Sequence, residues 1–173
     1  LPLLTVHAWC FGYSHVVSTY TRLQQRRFLA YGLPWIVLAS VFALSTHVGA
    51  GGLNTIYFVF QWFHTTRQSW GLAQHYQRGG RIEEATLWAL PVTGMLYRCH
   101  QQPVTFLWND LYLPQVPIEA VVISALVAVV LIGRKRPTPY MSTHHIVFAL
   151  AYLAIDDLQA GWLLVNVWHN VQY

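Results

Sequence analysis

Long apolar runs separated by short polar breaks divide the chain into six segments. They lie at about Leu3 to Tyr20, Phe28 to Val48, Leu53 to Tyr76, Glu83 to Trp108, Ile118 to Gly133 and His144 to His169. Most are near the roughly 20 residues that an α-helix needs to cross the hydrocarbon core of a bilayer. The second is the cleanest, with Pro34 in its first turns, where a missing N–H does least harm. Gly49, Gly51 and Gly52 predict a turn before the third. Pro91 and Gly94 predict a kink or interruption in the fourth, which opens on Glu83 and Glu84 as a helix N-terminus favours. The fifth is almost purely Ala, Val, Leu and Ile and should face lipid. The spacing therefore predicts an all-α polytopic transmembrane bundle of about six spans in a single domain, with no internal repeat and an aromatic interfacial loop from Trp108 to Pro117.

Two stripes break the apolar pattern. At 3.6 residues per turn, Gln61, His64, Gln68, Gly71 and His75 fall on one face of the third segment, with Arg67 beside it. A cation at bilayer depth costs on the order of 3 kcal/mol or more unless it is paired, so this face should meet protein, water or a cofactor. The sixth segment carries Asp156, Gln159, Asn166 and Asn170 in a second stripe, with His169 adjacent. A carboxylate buried there must be paired, protonated or metal-bound, so Asp156 or Asp157 is expected to meet Arg67 or a His of the first or third segment. A structural ion pair and a proton or ion pathway are the other uses of such a pair.

Composition agrees with the membrane reading: 55% of the 173 residues are hydrophobic and 9% charged, against about 25% charged in soluble domains. The net charge of +4 does not point to nucleic acid, because the basic residues fall in three short clusters between apolar runs. Arg22, Arg26 and Arg27 follow segment one, Arg78 and Arg81 segment three, and Arg134, Lys135 and Arg136 segment five. Alternate crossings put all three on one side, which the positive-inside rule makes cytoplasmic, with both ends of the chain opposite. Cys10 and Cys99 form neither a disulfide scaffold nor a CxxC site. The chain opens at Leu1 without a basic region before its apolar run, so that run does not read as a signal peptide, and a longer parent chain is expected.

Nine histidines are the larger chemical signal: His7, His15, His47, His64, His75, His100, His144, His145 and His169. Inward-facing imidazoles from several helices are how bundle interiors hold metals. His15, His64, His75 and His169 are the candidate ligands, with Asp156 or Asp157 as carboxylate, and such a set suits non-haem iron. His64 and His75 lie about 16 Å apart along one helix, so only one of them can join a given ion. Gln68 and Asn166 would orient the imidazoles. His144 and His145, beside the basic loop, read as plain interfacial residues. A haem or chlorophyll needs only one axial His beside small residues, which His47 before Val48, Gly49 and Ala50 offers. No GxSxG, Walker A, HExxH or GxGxxG motif occurs, nor the paired histidine boxes of membrane desaturases.

FGYSHVVSTYTR at Phe11 to Arg22, WFHTTRQSWG at Trp62 to Gly71 and WHNVQY at Trp168 to Tyr173 are loosely similar to the His-bearing helices of the bacterial Brp/Blh membrane proteins and their relatives. The resemblance touches His15, His64 and His169 and covers about a fifth of the chain. It implies a helical bundle in a bacterial inner membrane with a His-ligated non-haem iron that cleaves β-carotene, a dioxygenase reaction on a lipid-soluble substrate. The family's PHG-type motif followed by Asp does not occur. The alternative expectation is a non-catalytic subunit of a photosynthetic or respiratory membrane complex, its partners other subunits of that complex.

Overall fold

A single glycine separates the second and third apolar segments. In the computed structural model, which describes residues 32–76, 79–134 and 138–171, helix α1 runs Leu33–Tyr76 and leaves helical geometry at Gly49 (φ 65°, ψ −177°). That left-handed backbone is open to glycine at little cost. The expected three-glycine turn is thus one residue, since Gly51 and Gly52 are buried within the helix.

Helix α2, Arg81–His100, starts where RGGR ends, with the Gly80 N–H donating to Glu83 Oε2 at 2.8 Å. The expected interruption at Pro91 and Gly94 does not occur, and the helix stops before Pro103 rather than at Trp108. Strands β1, Thr105–Phe106, and β2, Asn109–Asp110, then form an antiparallel hairpin. Its two turn residues, Leu107 and Trp108, both have positive φ (48° and 62°), the backbone of a tight hairpin turn in which side-chain-bearing residues are strained. Asn54 of α1 donates to the carbonyls of Phe106 and Leu107 at 3.1 and 3.5 Å, and the Tyr112 N–H donates to Thr55 Oγ1 at 2.7 Å. The interfacial loop of the sequence reading is therefore clamped on α1, with Trp108 and Tyr112 exposed at its tip.

Helix α3, Ile118–Gly133, matches the fifth segment and packs along α2. The sixth segment departs most from expectation. Helix α4, Pro139–Ala149, is capped by Thr138, whose hydroxyl oxygen accepts from the Met141 N–H at 3.3 Å. It widens into a π-turn, Leu150–Ala154, and ends at Ile155. The chain then reverses, and α5, Leu158–Val171, returns along it. Trp168 stacks near Tyr140, His144 and Phe148 with ring centroids 6.2, 5.4 and 6.2 Å apart. The expected single span from His144 to His169 is corrected to a helical hairpin. Val171 accordingly lies at the Pro139 end of the bundle, which corrects the placement of the C-terminal end opposite the basic loops.

The hairpin closes tightly because two glycines let backbones approach. A Cβ on Gly94 would sit 2.5 Å from Tyr152 Cβ, and one on Gly161 would run into the Ala151 carbonyl. Phe58, Phe106, Phe148, Tyr152 and Trp162 fill the core at the β-hairpin end, and Trp70, Leu87 and Met141 a smaller one toward the basic-loop end. The described residues are mostly helical. Among them, no helix is long and apolar enough to cross a membrane.

Gly161→Ala should destabilise the fold by about 1–3 kcal/mol through overpacking. Gly71→Ala, where a Cβ meets nothing within 4 Å, should stabilise it by up to about 1 kcal/mol. Thermal unfolding of the two variants checks the contrast.

Candidate functional site

The two polar stripes of the sequence meet. α1 beyond Gly49 and α5 lie side by side, and Gln61 Nε2 donates to Asn166 Oδ1 at 2.7 Å. One turn further along both helices, the rings of His64 and His169 meet edge to face with centroids 5.3 Å apart at 74°. His169 is 2% exposed, and His64 lies at the open edge of the seam. Asn166 is buried and also donates to the Trp162 carbonyl at 2.9 Å, which fixes its amide for Gln61. Thr65, Thr66 and Ser69 are also buried on α1, and their hydroxyls donate to carbonyls three or four residues back on the same helix at 2.8–3.1 Å. The Gln68 Nε2 is buried beside them with no hydrogen-bond partner among the described residues.

The expected carboxylates do not join this seam. Asp156 and Asp157 are exposed in the reversal between the π-turn and α5, at least about 18 Å along the helix from His169. Asp157 caps α5, its Oδ1 accepting from the N–H groups of Gln159 and Ala160 at 2.8 and 3.4 Å, the use a helix start makes of Asp. Arg67 pairs instead with Glu84 of α2 at 2.6 Å and is 55% exposed, a pair worth about 0–1 kcal/mol. The expected Arg67–Asp156 pairing is corrected, because the two residues sit at opposite ends of the bundle. His75 is exposed at the end of α1 against Tyr76, and His47 is exposed near the Gly49 break. His15 lies outside the described residues.

The cation that does engage the reversal is Arg98, 2% exposed near the end of α2. Its guanidinium donates to the carbonyls of Ala151, Ile155 and Asp156 and to Gln101 Oε1. The Ala151 carbonyl lies in the last turn of the helix, where carbonyls run out of helical donors, and those of Ile155 and Asp156 lie in the reversal that follows. Arg98, Gln101, Asp156 and Asp157 also line a polar cleft of about 360 Å3 at that end.

His144 and His145 are buried rather than interfacial. For His144 the cause is Pro91. Proline has no N–H, so the Leu87 carbonyl four residues earlier loses its helical donor, and His144 Nε2 lies 3.0 Å from that oxygen. A proline inside a helix was the signal that a donor had to come from another element. His145 has no hydrogen-bond partner at either ring nitrogen among the described residues.

A metal about 2.0–2.1 Å from an imidazole nitrogen lies about 3 Å from the ring centre, so centroids 5.3 Å apart can flank one ion. The separation of His64 and His169 is thus within the span of two ligands of one ion. A complete iron centre is not formed by the described residues, in which no group of three or more His, Cys, Asp or Glu could hold a metal. No protein-family model, curated protein or solved structure matches the chain.

His144→Phe should cost about 1–3 kcal/mol by leaving the Leu87 carbonyl buried and unpaired. In a Pro91→Ala background, which restores the helical donor, the same change should cost clearly less. A double-mutant cycle by chemical unfolding measures the difference.

Proposed function

We propose that the chain is a membrane-embedded helical bundle that binds a transition metal, iron first among candidates, at the His64–His169 seam and acts on a lipid-soluble substrate. The observation that carries this reading is the meeting of two imidazoles from helices 105 residues apart, beside the Gln61–Asn166 bond. Imidazoles gathered between helices in an apolar chain fit ligation better than packing.

The membrane part rests on where charge lies. Arg67, Arg81, Glu83, Glu84 and Arg134 gather at the basic-loop end, while Arg98, Asp110, Glu119, Asp156 and Asp157 gather at the β-hairpin end. Between them the described residues leave a charge-free layer about 21 Å thick, counted as fourteen steps from Glu84 to Arg98 at 1.5 Å each. That falls short of the roughly 30 Å of a typical hydrocarbon core. Local thinning accommodates such a mismatch at fractions of a kcal/mol per Å. Exposed apolar residues on α3 suit lipid, and Trp108 and Tyr112 at one end with Tyr76 at the other suit two interfaces. The basic-loop end would then face the cytoplasm.

The resemblance in the Trp62–Gly71 and Trp168–Tyr173 stretches falls on the same two histidines, with His15 proposed as a third ligand. The exposed face of α3 also suits the second reading, a subunit of a larger membrane complex in which His binds a tetrapyrrole.

Metal analysis and a visible spectrum of the purified protein test the proposal together. Near-stoichiometric iron or another transition metal is expected, falling at least about tenfold in both His64→Ala and His169→Ala, the scale on which ligand-shell losses act. Metal-free protein, or metal unaffected by either change, would contradict it, and a Soret band would favour the tetrapyrrole reading.

A further inference from the structure

Two apolar clefts share a ridge on α3. The larger, about 570 Å3, lies between α2 and α3 with Ala85, Trp88 and Ile123 among its walls. The smaller, about 340 Å3, follows Leu126 and Val130 down to Arg134. Val127 and Leu131 belong to both. The hydroxyl on the larger cleft's wall, Ser124, already donates to the Val121 carbonyl at 2.8 Å. Above Arg134, an occupant is therefore offered almost wholly apolar contact. From Ala85 to Leu96 the larger cleft follows α2 for about 16 Å, the reach of an extended hydrocarbon chain. Both clefts open sideways, since Leu126 and Val127 are 62% and 51% exposed.

The same face changes character at one end. Thr86 Oγ1 lies 3.5 Å from the Leu131 carbonyl, so Arg81, five residues before Thr86, and Arg134, three after Leu131, lie at the same end of the α2–α3 pair. Both are exposed, and neither takes part in an ion pair among the described residues. Guanidinium groups bind phosphate oxygens in a bidentate fork. Basic pockets beside membrane helices on the cytoplasmic side select anionic headgroups.

We propose that this face binds one two-chain anionic phospholipid, its phosphate at Arg134 and Arg81 and one chain in each cleft. The proposal rests on the membrane reading above and is independent of the metal.

The test is native mass spectrometry of the full chain in mild detergent, titrated with equal amounts of phosphatidylglycerol and phosphatidylcholine. One retained phosphatidylglycerol is expected to dominate. Arg134→Gln should lower its preference about fivefold, the worth of one basic residue at an anionic surface. Val127→Trp, on the shared ridge, should remove retention of both lipids without changing metal content. Equal retention of the two lipids, a preference untouched by Arg134→Gln, or a lipid-free dimer covering the face would each overturn the proposal. A chain that fractionates away from membranes overturns the membrane reading and this site with it. One that fractionates with membranes but retains no phosphatidylglycerol overturns this site alone.

Discussion

The fold turns on a buried guanidinium meeting the end of a helix. Where α4 stops, its last carbonyls lose their helical donors, and burying them unpaired would cost about 1–3 kcal/mol each. Arg98 supplies donors from α2 to the Ala151 carbonyl at that helix end and to the Ile155 and Asp156 carbonyls of the reversal beyond it, from a site that is 2% exposed. A cation is also what the partial negative charge of a helix C-terminus favours. On the far side of the reversal Asp157 supplies the complementary anion at the start of α5. One break in the chain thus has a cation at the C-terminal end of the helix before it and a carboxylate at the N-terminal end of the helix after it. The strongly polar residues of the sixth segment belong to the turn rather than to the interior of a span.

Everything proposed for the site depends on that turn. Because α5 doubles back, Asn166 and His169 come alongside Gln61 and His64 of α1. A straight continuation of α4 would have carried them beyond the opposite end of the bundle. Gly94 and Gly161 let the π-turn sit close against α2 and α5. The Pro91 carbonyl, turned outward from α2, accepts from Trp62 Nε1 at 3.1 Å. Pro91 therefore ties α2 to α1 through its own oxygen and to α4 through the Leu87 oxygen it leaves free.

The helical character, the start of α2 at its paired glutamates and the whole of α3 were legible from apolar spacing and capping residues. So were the two polar stripes themselves; that Gln61 and His64 meet Asn166 and His169 was not, because the order of helices in a bundle is not readable from apolar spacing. The reversal at Ile155 to Asp157 was not, because an Asp pair inside an apolar run reads equally as a buried charge or as a helix cap. Only packing decides between them. Arg67 and Arg98 both fall within apolar runs; it took the third dimension to place the first on a carboxylate and the second on backbone oxygens. The burial of His144 was readable in principle from Pro91, but the donor's identity depended on which helix packs there.

A distance between the two arms decides whether residues 139–171 form the hairpin that Arg98 closes. Spin labels at Tyr140→Cys and Trp168→Cys, in a chain whose native cysteines are replaced by serine, should show the strong dipolar broadening of side chains in contact, as the 6.2 Å ring separation requires. Separation near the roughly 42 Å of a continuous helix between the two positions would contradict the account.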